Sequence, residues 1–170
     1  MNMCASTIAG VEEQLMKRLM LFLLLPMLMM PTMGWAQPVP QICIDGFNYR
    51  ISLDFKRSIQ ALTQCLKTNS LDTVNEAITY QNRAISYYSL AIGFLYPNRD
   101  KAADEKGFEL LESAYDDIQK SINLDPSIAR SYCMRGHIRL EISEGWDDGA
   151  YDDWDKGIAM GAPKDVCKAR

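Results

Sequence analysis

His137 is the only histidine in the chain, and Cys133 precedes it by four residues. On a helix these two side chains share a face, the geometry that a thiol nucleophile and its general base require. The neighbouring sequence supplies no fuller acid, base and oxyanion set, so both residues are read as occupants of one helix face, with Cys133 open to bridging, and no catalytic residue is assigned. A Cys133/His137 enzyme stays as an alternative, separable by whether Cys133 carries a free thiol. A second cluster, Glu144, Asp147, Asp148, Asp152, Asp153 and Asp155, has the oxygen ligands that calcium prefers. Trp146 stands where a ligand is needed and no glutamate closes the loop, so the order is not that of an EF-hand. Carboxylates there suit the positive end of a helix instead. There is no Gly-rich phosphate loop and no basic patch, and the net charge is −4. Neither a cofactor, a metal nor a nucleic-acid partner is expected.

The remaining chemistry is that of sulfur. With Cys4 set aside, because it precedes the leader segment that starts at Met16, Cys43, Cys65, Cys133 and Cys167 form an even set in a small chain, which favours disulfides and allows three pairings. The pairing preferred is Cys43 with Cys65, tying the N-terminal segment to the first helix, and Cys133 with Cys167, tying the tail to the last one. The alternative is that Cys65 and Cys133 are small buried hydrophobes inside helices. No CxxC motif and no zinc spacing is present.

These residues need elements to hold them, and the first segment must be set aside before elements are assigned. From Met16 the chain reads MKRLMLFLLLPMLMMPTMGWAQ, with Lys17 and Arg18 before an uncharged run from Leu19 to Met33. That is the layout of a secretory signal peptide at 16–36, with cleavage after Ala36. Pro26 and Pro31 interrupt the run, which is shorter than the roughly 20 residues of a membrane span, so no stable span is expected after cleavage. Residues 1–15 precede a complete n-region and read as a start placed too early. The chain is therefore expected to be exported, to the periplasm or the medium, as one domain.

In 37–53, Pro38, Pro40 and the Asp45-Gly46 pair predict an extended lead-in. From Asp54 the spacing of Phe55, Ile59, Leu62 and Leu66 is helical, and 54–76 reads as a degenerate half repeat followed by a loop. Further helices are predicted from about Leu71 to Phe94, Phe108 to Asn123, Ala129 to Ser143, and from Asp147 or Asp148 onward. No window alternates as a strand does. The fold class expected is all-α.

Two internal parallels organise these helices. Ala114-Tyr-Asp-Asp-Ile118 matches Ala150-Tyr-Asp-Asp-Trp154, with Lys120 and Lys156, then Ile122 and Ile158, in register. Tyr80-Gln-Asn-Arg83-Ala84 parallels Tyr132-Cys-Met-Arg135-Gly136. An aromatic followed by a small residue four positions on, then A-x3-aromatic and a closing proline, resembles the tetratricopeptide repeat, and the 36 residues from Ala114 to Ala150 are near its period of about 34. The resemblance implies a short helix-turn-helix solenoid of about two and a half repeats, at 77–126 and 129–163, with a tail at 164–170. Tyr80, Ala84, Ala114, Ile118, Pro126 and Tyr132, Gly136, Ala150, Trp154, Pro163 are the expected packing residues. An insertion near 93–106 departs from the family pattern.

The resemblance also implies a non-catalytic role, in which first helices line a groove that holds another protein or a peptide segment. Ile78, Gln81, Ile85, Tyr88, Arg130, His137 and Glu141 are the groove positions it assigns. A cell-envelope assembly or structural factor, making its contact through the insertion, is the alternative. So few repeats leave self-association open.

Overall fold

A computed structural model describes residues 38–96 and 101–168, and the expectations for 1–36 lie outside the described residues. Among the described residues there are seven helices and no strand: α1 Gln41–Ile51, α2 Phe55–Lys67, α3 Thr73–Leu95, α4 Lys101–Leu124, α5 Ala129–Ile142, α6 Asp148–Ala159 and α7 Lys164–Cys167. The all-α expectation holds.

The ends of these helices follow from local side-chain chemistry. Asp54, Asp72 and Asp147 each accept a backbone N–H at the start of α2, α3 and α6, from Arg57, Asn75 and Ala150. Asp125 takes the Ser127 amide at 2.9 Å in the turn before α5. After α5 and α6 the chain reverses through positive φ at Gly145 and Gly161, which frees the Gly145 and Ala162 amides to bond Leu140 and Gly157 carbonyls.

The extended lead-in is corrected: Gln41–Ile51 is helical. Pro40 stands just before the first turn, where a missing N–H costs nothing, and its carbonyl accepts from the Cys43 amide. Gly46 marks no turn. A Cβ there would lie 2.7 Å from Leu62, so the glycine lets α2 pack closely on α1. The half repeat at 54–76 thereby gains a first helix. Helices pair as three hairpins, α1 with α2, α3 with α4 and α5 with α6, and α7 packs on α5 and α6.

The insertion near 93–106 falls partly in longer helices: α3 runs on to Leu95, and α4 already begins at Lys101. Ala91, Leu95, Leu110 and Leu111 bury one another along this extension. Gly107 permits it, because a Cβ would meet the Leu95 side chain at 2.6 Å.

Successive hairpins are joined by α2 against α3 and α4 against α5. First helices touch one another, α1 with α3 and α3 with α5, whereas second helices do not. The stack therefore curves, with α1, α3 and α5 on its inner side.

At the crossing of α5 and α6 the small residue is obligatory. A Cβ on Gly136 would lie 2.6 Å from the Trp154 ring and 2.7 Å from the Ala150 carbonyl oxygen. Gly136→Ala is expected to destabilise by about 1–3 kcal/mol, although alanine is the better helix former. Gly93→Ala, with nothing within 4 Å of its Cβ, should instead stabilise by about 0.5–1 kcal/mol. Urea melts of the two variants, compared with wild type, check the opposite signs.

Candidate functional site

The residues that could do covalent chemistry are otherwise engaged. Cys43 is bonded to Cys65 and Cys133 to Cys167, the preferred pairing. Cys133 therefore presents no thiol for His137 to activate, and the His137 Nε2 lies 2.9 Å from the Val166 carbonyl oxygen. The acidic cluster is dispersed: Asp147 caps α6, Asp153 is buried against Arg135, and Asp155 accepts from Lys168. Among the described residues no three His, Cys, Asp or Glu side chains are placed to hold a metal ion.

The sequence parallels become a repeated ion cluster. In the second hairpin Arg83 donates from Nε and Nη2 to both Asp117 oxygens, at 2.6 and 2.8 Å. In the third, Arg135 donates in the same bidentate way to Asp153. Each spare Nη1 reaches back to the preceding hairpin's second helix, at Thr63 or Gln119. Tyr80 carries Arg83 and Lys120 near its ring, and Tyr132 carries Arg135 and Lys156. Burial opposes the charge on Arg83, yet the Asp117 carboxylate more than offsets this and raises its pKa. For Arg135 the Asp153 hydrogen bond is the leading cause of a like rise. The cluster fixes the register of a hairpin and of its neighbour together. Sequence reasoning missed these pairs, though the repeated Arg and the second Asp of Ala-Tyr-Asp-Asp are its visible signal.

Of the expected packing residues, Tyr80 is half-buried, Pro126 and Pro163 are exposed, and the others are buried. Ala84, Ala114 and Ile118 share one core cluster, while Tyr132, Ala150 and Trp154 are buried in the third hairpin. Pro126 sits in the turn before α5, and Pro163 stands before α7.

Three cavities take walls from α1, α3 or α5, and α4 and α6 add Asp104, Phe108 and Trp154 to the last of them. One of about 160 Å³ is lined by Val39, Ile44, Phe47 and Ile78 among others. A second, of about 350 Å³, has Tyr88, Arg130, Met134, His137 and Val166. The third, of about 610 Å³, lies where α3 and α5 end and includes Tyr88, His137 and Glu141. Burial holds the Arg50 guanidinium below its usual pKa, with the like charge of Arg130 adding to the effect. Burial, then the Glu141 charge, pushes the Tyr88 hydroxyl well above the usual phenol range, so it stays protonated.

Five of the seven groove positions thus line cavities: Ile78 in the first, and Tyr88, Arg130, His137 and Glu141 in the other two. Gln81 and Ile85 do not. Gln81 is buried and donates to Ser131 Oγ, itself 3.0 Å from Ser121, while Ile85 is also buried. The Gln81 position is taken up by the contact between hairpins, because a central helix has neighbours on two sides.

Comparison with family models, with curated proteins and with solved structures gave no match. Among the described residues no helix is long and apolar enough to cross a membrane.

Proposed function

We propose that this chain is an exported tetratricopeptide-type module that binds another protein along the inner side of α1, α3 and α5 and catalyses no reaction. The observation that carries this reading is the contact order: first helices touch, second helices do not, and the three cavities take walls from the side so formed. Exposed apolar groups at one end, Ile44, Phe47 and Ile78, pass into the polar groups Arg130 and Glu141 toward the other. Such a strip suits a partner segment whose apolar anchors and charges are spaced along its length. Two disulfides are consistent with an oxidising compartment, where a partner on the same side of the membrane would be met.

Ile78→Glu with Arg130→Glu places charge and charge reversal on that side without touching the core. The double variant is expected to lose the proteins that wild type retains on co-purification from the exported fraction. Lys56→Glu with Glu112→Lys, at exposed positions of α2 and α4, should retain them. Retention of the same proteins by both variants contradicts the reading.

A further inference from the structure

We propose that the cavity of about 610 Å³ at the ends of α3 and α5 is a site for an organic cation, an alkylammonium or guanidinium group. The proposal rests on the partner-binding reading for one of its two sources, a lysine or arginine of a bound partner. The other source is a free polyamine.

The lining sets the charge. Three carboxylates, Asp104, Glu141 and Glu144, are spread around its lining, and among the described residues no lysine or arginine lines it. On α4, Lys101 faces Glu105 at 3.9 Å and Lys106 faces Glu109 at 2.7 Å, both at the surface. Arg139, in the last turn of α5, is directed to Asp147 and Asp153 at 3.3 and 3.4 Å. No basic residue stands in the last turn of α3. The negative ends of the α3 and α5 dipoles add to these carboxylates, opposed by the positive end of α4, in whose first turn Asp104 stands.

The walls set the class of cation. Tyr88, Tyr96, Phe108 and Trp154 line the same space. The Tyr96 hydroxyl donates to Glu141 at 2.9 Å, and the Glu141 charge also acts on the Tyr88 hydroxyl. One phenol is thus held by the anion that would meet the ligand. Aromatic faces attract a weakly hydrated organic cation that carries its own apolar body. The carboxylates are too dispersed for a metal ion, since among the described residues no three ligands converge. The extension of α3 and α4 supplies Tyr96, Asp104 and Phe108, so the longer helices build a wall that the shorter hairpins lack.

The test titrates the purified chain, disulfides intact, with spermidine, with acetyl-Ala-Arg-Ala-amide and with the neutral citrulline counterpart of that peptide, by calorimetry. At least one cationic probe should saturate, with the citrulline peptide about tenfold or more weaker, the scale of one desolvated cation–aromatic contact. Glu141→Gln and, separately, Asp104→Asn should each weaken the cation, while Glu112→Gln on the exposed side of α4 leaves it unchanged. Binding of the arginine peptide alone assigns the site to a partner's side chain, and binding of spermidine alone assigns it to a free polyamine. Equal binding of the citrulline peptide overturns the proposal. So does the absence of saturation by either cation in protein whose near-ultraviolet circular dichroism is that of the folded state. Loss of co-purifying proteins is read in a different variant, so failure of the partner-binding reading leaves a spermidine result standing.

Discussion

Asp117→Ala is expected to destabilise the fold by about 3–5 kcal/mol, the cost of stranding one member of a buried ion pair. The Asp117 side chain is 3% exposed and that of Arg83 14%, so water does not replace the lost partner. Arg83 would be left with Thr63 alone as a hydrogen-bond acceptor, beside Tyr80 and Tyr87. Removing both charges together, as Arg83→Met with Asp117→Leu, should cost less than Asp117→Ala, because no buried charge is then unpaired. Urea unfolding followed by circular dichroism measures both. A loss below about 1 kcal/mol for Asp117→Ala would show that the pair behaves as an exposed one. The same substitution at Asp153 should have a similar effect, because Arg135 makes the same bidentate contact and the same reach to the preceding hairpin.

Reduction is the second large effect. The two disulfides span sequence separations of 22 and 34 residues, and closing loops of that length restricts the unfolded chain by about 3–4 kcal/mol each. A domain of this size is stable by about 5–15 kcal/mol in all, so dithiothreitol should remove a large part of that margin and lower Tm by about 10 °C or more. The consequences differ by position. Only Cys43 and Gly46 of α1 are buried, so this helix has little apolar surface to hold it once Cys43–Cys65 is cut. A Cys43→Ala/Cys65→Ala variant should therefore lose amide-exchange protection in 41–51 before the rest of the fold does. Protection of 41–51 equal to that of α3 in this variant would show that packing alone retains α1.

Legibility in the sequence followed the range of the interaction concerned. Helix boundaries set within one turn were readable: Asp72 caps α3, and the chain turns at Pro126 before α5. The Tyr80/Tyr132 and Ala114/Ala150 parallels exposed the repeated hairpin. They could not reveal the Arg83–Asp117 and Arg135–Asp153 pairs, whose members lie 34 and 18 residues apart and are joined only when two helices pack. Gly46 misled for the same reason: its role is to admit Leu62, a contact from another helix, and locally it resembles a turn. Of the groove positions that the resemblance assigned, Tyr88, His137 and Glu141 line cavities. Gln81 does not, because a position carried over from a repeat pattern does not say which neighbour covers the side chain; here Ser131 does. The aromatic and acidic cavity was hidden because Tyr96 and Asp104 fall in the stretch that departs from the repeat pattern.

The central claim is that α1, α3 and α5 present the binding side. A photo-crosslinking residue placed at Ile78 or Arg130 of the exported protein, and in parallel at the exposed Lys56 and Glu112 of α2 and α4, tests it most directly. The account predicts, after irradiation of cells, one abundant adduct shared by Ile78 and Arg130 and absent from Lys56 and Glu112. The same adduct from Lys56 and Glu112, with none from Ile78 or Arg130 in folded protein, would contradict it and move the partner to the outer side of the hairpins.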